Sequence, residues 1–330
     1  MARLDFSGVI ELLDQAQNVA LCGHMNPDGD CLGSVLALTH ALRAQGKQAT
    51  PLLATTAQPE IFDYLEGYGE MIPAAQYDGT PDLFVMLDVP NEQRMVDGAD
   101  VMARAAHKVK IDHHDGPTDI VDASVIDTDA AAVGVMVWEL LEQWGVEPTP
   151  LVADCCYVAL LTDTGSFRFQ NADARAFEAA AAMVKAGANP AIAATNVYQR
   201  KSLAAVALEA RVGARARFAC GGRMVISWME QADLDELGAT KDDCEELTDV
   251  VRQIAGPEVS VILRGQGESI RGSIRAKGGH DVRAIALQMN GGGHKAASGF
   301  TLYGDMDKAI QHVVDLVAES FGVTPENMAQ

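Results

Sequence analysis

Positive charge is scarce in this chain. Twenty-five lysines and arginines stand against 46 aspartates and glutamates, a net charge of -21 over 330 residues. A molecule of that sign repels polyanions as a whole, which argues against the extended basic face that a duplex DNA footprint needs. A short anionic ligand held by metal ions and a few local cations is still admitted. Cysteine pairs are also absent: none of the six (Cys22, Cys31, Cys155, Cys156, Cys220, Cys244) forms a C-x-x-C, and zinc-ribbon spacing is missing. Reduced thiols in packed positions are the expectation. No uncharged apolar run reaches the roughly 18 residues needed to span a bilayer. The opening Met1-Ala2-Arg3-Leu4-Asp5-Phe6 lacks the apolar core of a signal peptide, so the expected location is cytoplasmic, with no membrane partner. There is no internal repeat or low-complexity tract, and unstructured chain is expected only from Thr324 to Gln330. What remains is globular material, 48% hydrophobic and 22% charged, long enough for two domains.

The first half alternates between strand and helix patterns. Val19-Ala20-Leu21-Cys22, Leu83 to Leu87 and Lys108 to Ile111 read as short buried strands. Gly29 to Gln45 carries Leu32, Val35, Leu36, Leu38 and Leu42 at helical spacing, with Gly46 as its C-cap. This predicts an α/β domain, a mostly parallel sheet with helices on both faces, whose ligands gather at the carboxyl ends of the strands. His24, Asp88 and Asp112 each fall at such an end. From Ala130 to Gly187 the pattern is helical, and Asn189-Pro190 breaks it. One helix over 191–214 is expected to connect the domain of residues 1–190 to a smaller α+β domain of residues 215–330. Strands are expected there at Met224–Trp228, Val259–Arg264, Ile270–Ala276 and Ser298–Leu302, and helices at Ala232–Leu237, Asp242–Ile254, Val282–Met289 and Asp305–Phe321.

Chemistry accumulates where these elements stop. Gly23-His24-Met25-Asn26-Pro27-Asp28-Gly29-Asp30 follows the first strand, Asp88 ends the second, Asp112-His113-His114 follows the third, and Asp163 ends the apolar run Val158–Thr162. A lone aspartate after a strand is ordinarily a cap or turn residue. Four of them brought together would repel one another and raise their own pKa values, and two divalent ions would balance the charge. Oxygen ligands with a few imidazoles suit manganese, and two ions about 3.5–4 Å apart can flank a phosphoryl group during in-line attack. Pro27 and Gly29 favour a turn over a helix, in which Asp28 and Asp30 face different ions.

These segments, with Val85-Met86-Leu87-Asp88 and Leu161-Thr162-Asp163-Thr164-Gly165-Ser166-Phe167-Arg168-Phe169, resemble the four ordered motifs of the DHH phosphoesterase superfamily. Gly291-Gly292-Gly293-His294-Lys295-Ala296-Ala297-Ser298-Gly299-Phe300 is similar to the signature of the DHH-associated C-terminal domain. The match runs almost end to end and points to the stand-alone nanoRNase/pAp phosphatases of the NrnA type. The resemblance implies one metal on His24, Asp28, Asp88 and Asp163 and a second on Asp30, Asp88, His113 and Asp163. Asp88 and Asp163 would bridge, the ions would be manganese, His114 would face the scissile phosphate, and Asp112 would orient its neighbours. Two positions depart from the pattern. Asp115 follows the Asp-His-His run and is expected to face solvent, and Ser298 stands where relatives often carry alanine.

On the substrate side, Gly291-Gly292-Gly293-His294 reads as a loop whose backbone can approach an anion. Residues 260–295 hold Arg264, Arg271, Arg275, Lys277, Arg283 and Lys295 against Glu268 and Asp281, a local +4. Such a patch suits a small phosphate-bearing ligand. By resemblance, Ser273 and Arg275 form a Ser-x-Arg element, Arg275 and His294 contact a terminal phosphate or base, and the ligand lies between the domains. The expected activity is hydrolysis of short oligoribonucleotides, linear dinucleotides or 3′-phosphoadenosine 5′-phosphate (pAp). The competing readings are a cyclic-dinucleotide phosphodiesterase and a non-catalytic nucleotide-binding regulator. Relatives are often homodimers.

Overall fold

The computed structural model describes residues 4–244 and 246–324, and the chain divides into two compact units at Arg200/Lys201. Residues 1–3 and most of the tail expected to be unstructured, 325–330, lie outside the described residues.

The first unit holds six strands: β1 (Asn18–Cys22), β2 (Gln48–Leu53), β3 (Ile72–Pro73), β4 (Leu83–Leu87), β5 (His107–Asp112) and β6 (Ala123–Ile126). They form one parallel sheet in the order β3-β2-β1-β4-β5-β6. Its helices are α1 (Ser7–Gln15), α2 (Gly29–Ala44), α3 (Gly98–Arg104), α4 (Val133–Trp144), α5 (Pro150–Asp163), α6 (Ala174–Ala186) and α7 (Pro190–Tyr198). Alternation along the strands shows why both faces are covered. Val19, Leu21, Val85 and Leu87 join the core made with α1, α2, α4 and α5, while Ala20, Cys22, Phe84 and Met86 join another with Val101 and Met102 of α3. The predicted α/β class is therefore borne out. The sequence pattern passed over β2, whose Pro51 weakens a strand reading, and β6, which is short and half polar.

The second unit holds α8 (Leu203–Ala214), α9 (Gln231–Leu237), α10 (Leu247–Arg252), α11 (Val282–Leu287) and α12 (Met306–Phe321). Its mixed sheet runs β11 (Gly292–His294), β12 (Ala297–Tyr303), β10 (Ser269–Ala276), β9 (Val259–Gln266), β8 (Met224–Met229), β7 (Arg217–Ala219), antiparallel except for β8 with β9. Apolar residues of β8, β9 and β10 pack one sheet face on α11 and α12. The opposite face meets α8, α9 and α10 through Val225 and Ile262 of β8 and β9.

Three expectations need correction. The single helix over 191–214 is two, α7 and α8, because Ser202 caps a new start by accepting from Ala205 N at 2.9 Å. The helix over 242–254 is a short 3-10 turn, Asp242–Cys244, followed by α10. Most of the glycine-rich loop is the edge strand β11: Gly292, Gly293 and His294 pair antiparallel with Gly299, Ser298 and Ala297.

Candidate metal centre

The parallel sheet fixes where the first unit can place polar chemistry. Strand order reverses between β1 and β4, and in open parallel sheets the crevice at that point, beyond the carboxyl ends, is where ligands sit. His24 follows β1 and Asp88 follows β4 directly. Asp88 has φ 58°, a left-handed conformation that a short acidic side chain tolerates better than a bulky one. Asp112 ends β5, and His113 and His114 come next. Asp28 and Asp30 enter from α2, and Asp163 is the last residue of α5.

Close packing of α2 on α5 delivers these last three. A Cβ on Gly29 would meet Thr162 Oγ1 at 2.4 Å, and one on Gly33 would meet the Cys155 carbonyl at 2.5 Å. Glycines one helical turn apart therefore let the N-terminus of α2 lie against the C-terminus of α5. The turn expected at Asp28–Asp30 is in fact the start of α2: Asp28 is its N-cap, accepting from Cys31 N at 3.0 Å, and Asp30 lies in the first turn. Capping accommodates Pro27 and Gly29 without excluding the helix.

The predicted residues converge. His24 Nε2 lies 3.2 Å from Asp88 Oδ2 and 3.8 Å from Asp28 Oδ2. His113 Nε2 lies 3.5 Å from Asp88 Oδ1 and 3.9 Å from Asp30 Oδ2, and its Nδ1 is 3.9 Å from Asp163 Oδ2. Each histidine uses Nδ1 on a backbone carbonyl, His24 on Met25 at 2.9 Å and His113 on Ala130 at 3.1 Å, which leaves Nε2 facing the carboxylates. Asp30 is anchored from behind by Val133 N at 2.7 Å and Gly134 N at 2.9 Å. His114 donates from Nδ1 to Asp112 Oδ1 at 2.9 Å, with Asp88 Oδ1 3.4 Å away. Asp115 is exposed.

Two neighbours escaped the sequence reading. Lys110 is fully buried and holds Asp112 Oδ2 at 3.3 Å and the Pro90 carbonyl at 3.1 Å. A lysine flanked by Val109 and Ile111 in a buried strand was the available signal. Cys31 forms a donor group with His24 and Asp88, all three within 4.8 Å of one another.

Electrostatics show what the centre is suited to hold. Burial would lower the pKa of His24, but the Asp28 and Asp88 carboxylates carry it up to about 11. Desolvation in the crowded centre pushes the Asp28 carboxyl up although its side chain is 58% exposed, and His24 more than reverses this, leaving it at about 2. Asp30 and Asp163 are both raised, first by burial and then by neighbouring carboxylates. Asp88 Oδ1 is buried without a hydrogen-bond partner. Crowded carboxylates, outward imidazole nitrogens and an orphaned carboxylate oxygen fit divalent cations.

The second unit carries its predicted residues on a sheet face. Residues directly opposite in an antiparallel pair share a face, so Arg271, Ser273 and Arg275 of β10 lie with Arg264 of β9 and with Ala297, Gly299 and Thr301 of β12. His294 lies opposite Ala297 and joins the Arg275 row. Arg264 donates to Ser273 Oγ at 2.9 Å and to Thr248 Oγ1 at 2.7 Å. Arg275 donates to the Ser298 carbonyl at 3.4 Å, and burial lowers its pKa. Ser298 donates to the His294 carbonyl at 2.9 Å, which gives its hydroxyl a place in the hairpin. Lys277 follows β10, Arg283 lies in α11 and Lys295 in the hairpin turn, so the local +4 does not all share this face.

Residues 18–160 match the DHH family, N-terminal domain, and residues 221–320 match the DHHA1 domain. The chain is 32% identical over 317 residues to the bifunctional oligoribonuclease and PAP phosphatase NrnA of Thermus thermophilus, covering 94% of this chain and 93% of that protein. An exopolyphosphatase-related protein from Bacteroides fragilis superposes with a TM-score of 0.90 at 22% identity, over 98% of this chain and 97% of that one. RecJ from Thermus thermophilus in complex with Mn2+ gives 0.55 at 16% identity, over 98% and 56%. At these identities the two structures speak to the fold alone. Family and relative together make this chain a hydrolase of the phosphoesterase class. It belongs to the DHH phosphoesterase family, in the branch of the NrnA proteins, with a DHHA1 domain after the DHH domain, and the resemblance read from the motifs is borne out.

Proposed function

We propose that the chain is a manganese-dependent phosphoesterase that hydrolyses short oligoribonucleotides and linear dinucleotides to mononucleotides, and pAp to AMP and phosphate. One observation carries the reading: His24, Asp28, Asp30, Asp88, His113 and Asp163, drawn from three strand ends and two helix ends, converge on one point, where the buried Asp88 Oδ1 has no hydrogen-bond partner. The name of the Thermus relative supports the substrate class.

His24, Asp28, Asp88 and Asp163 would hold one ion and Asp30, Asp88, His113 and Asp163 the other, with Asp88 and Asp163 shared. When bound, the ions supply Lewis acidity and activate water for attack on phosphorus. The chain's own residues do the rest. Backbone acceptors on Nδ1 fix His24 and His113 with Nε2 inward. Asp112, held by Lys110, accepts a hydrogen bond from His114 Nδ1 and sets that ring to offer Nε2 to a phosphoryl oxygen. Ser273, Arg275, the backbone of Gly291, Gly292 and Gly293, and His294 grip the substrate, with the arginine pairing its donors to a terminal phosphate. We assign residues 1–190 to the catalytic domain and 215–330 to the substrate domain. Location in the cytoplasm and a homodimer belong to the same reading; among the described residues no helix is long and apolar enough to cross a membrane.

Turnover of pAp, pApA, pGpG, a pentaribonucleotide and cyclic di-AMP, measured side by side with manganese, tests the proposal. Linear substrates should exceed the cyclic one. Preference for cyclic di-AMP would transfer the assignment to cyclic-dinucleotide hydrolysis. Tight nucleotide binding with no hydrolysis of any of them would make the protein a regulator.

A further inference from the structure

Cys31 is a donor of the centre that a two-ion, oxygen-and-imidazole assignment leaves unused. It lies in the first turn of α2 and is 2% exposed. Its Sγ, a His24 ring nitrogen and an Asp88 carboxylate oxygen are mutually within 4.8 Å. The thiol's own contact is a long one, donated to the His24 carbonyl at 3.8 Å. Asp88 is almost wholly buried; its Oδ2 faces His24 Nε2 at 3.2 Å, and its Oδ1 lacks a hydrogen-bond partner. Glycine at position 23 makes the arrangement possible: a Cβ there would fall 2.1 Å from Cys31 Sγ. The sulfur therefore occupies space that any other residue at 23 would fill.

An imidazole, a carboxylate and a thiol at one point form a mixed donor set. Thiolate selects borderline and soft ions such as zinc, cobalt and cadmium, whereas carboxylate and water suit manganese. We propose that Cys31 is a metal ligand reserved for thiophilic ions: on the His24–Asp88 side of the centre, zinc, cobalt or cadmium takes Cys31 Sγ as an additional ligand, while manganese is held by nitrogen and oxygen alone. The S–H bond breaks, a metal–sulfur bond forms, and the proton leaves to buffer, with no change of oxidation state. Thiophilic ions then bind more tightly than manganese and displace it. The inference rests on the metal-centre reading above.

The full chain, stripped of metal, is titrated with Co(II) in the near ultraviolet and with cadmium by NMR. A sulfur-to-cobalt charge-transfer band is expected, with a cadmium resonance well downfield of nitrogen- and oxygen-only sites. In Cys31→Ala the band should vanish and cadmium affinity fall by about tenfold or more, about 1.4 kcal/mol or more, with the far-ultraviolet circular dichroism unchanged. If the variant does not fold, the wild-type cobalt and cadmium spectra decide. Bound cobalt without a charge-transfer band overturns the thiolate and leaves the metal centre standing. A band that survives in folded Cys31→Ala also overturns it. Failure of both cobalt and cadmium to bind overturns both readings.

Discussion

The two units place their chemistry in opposite ways. In the first, both faces of a parallel sheet are covered, so polar side chains can gather only beyond the strand ends, and six of them converge where the strand order reverses. In the second, α11 and α12 cover one face of the sheet, while α8, α9 and α10 meet the other chiefly over β8 and β9, with α10 also reaching β10. Arg271, Ser273 and Arg275 therefore line up along β10 at intervals of two residues. The first arrangement crowds carboxylates and invites cations. The second spreads guanidinium groups over a surface and invites an anion. On the proposed function, a protein of net charge -21 would bind phosphate at both places, through ions in one and arginines in the other.

The sharpest way to break this contrast is to remove a shared carboxylate. Asp88→Ala or Asp163→Ala should lower turnover on the order of 10³-fold or more, because on the proposed bridging each would take a ligand from both ions. Substantial activity in a folded variant would refute the bridging role. Asp112→Asn leaves the centre's ligands in place but alters the partner of His114. It should reduce turnover about 10–100-fold with metal content unchanged, and wild-type rates would remove Asp112 from the account. On the other side, Arg275→Ala should raise KM for phosphate-terminated substrates about 10–100-fold while manganese affinity stays as it was, since a charged hydrogen bond contributes about 1.5–3 kcal/mol. A loss of metal affinity would contradict the division of labour.

Smaller effects test how the centre is assembled. Gly33→Val forces a side chain into the Cys155 carbonyl across the α2–α5 contact and should cost about 1–3 kcal/mol in a denaturant titration. The pH dependence follows from the raised carboxyls. Asp30 and Asp163 hold protons in the folded, metal-free chain at pH values where the unfolded chain has lost them. The raised His24 acts in the same sense. The folded state then binds more protons, so metal-free stability should fall as pH rises through neutrality. Cations compete with those protons, so the increase in Tm on adding manganese should grow over the same range. A manganese shift that shrinks with pH would oppose this electrostatic picture.

Much of this was legible in the sequence. Buried strands announce themselves as apolar runs, so β1, β4 and β5 stood out, and with them His24, Asp88 and Asp112 at their ends. Motif order then brought in Asp28, Asp30, His113 and Asp163. What escaped depends on long-range packing. Pro51 disguised β2, yet that strand pairs in register with β1. Lys110 reads only as part of a short buried strand, and nothing local shows that its ammonium is met by the Pro90 and Pro117 carbonyls. Cys31 looked like one more packed thiol, because nothing local reveals that Gly23 opens a space for its sulfur beside His24. Gly292–His294 looked like a loop because glycine carries no strand preference, and pairing with β12 made it an edge strand.

Metal stoichiometry tests the central claim most directly. Metal-free protein dialysed against manganese and analysed by mass spectrometry of the eluted metal should carry two ions per chain, with Asp88→Ala retaining fewer than one. A single ion in the wild-type protein, or two retained in folded Asp88→Ala, would contradict an Asp88-bridged pair.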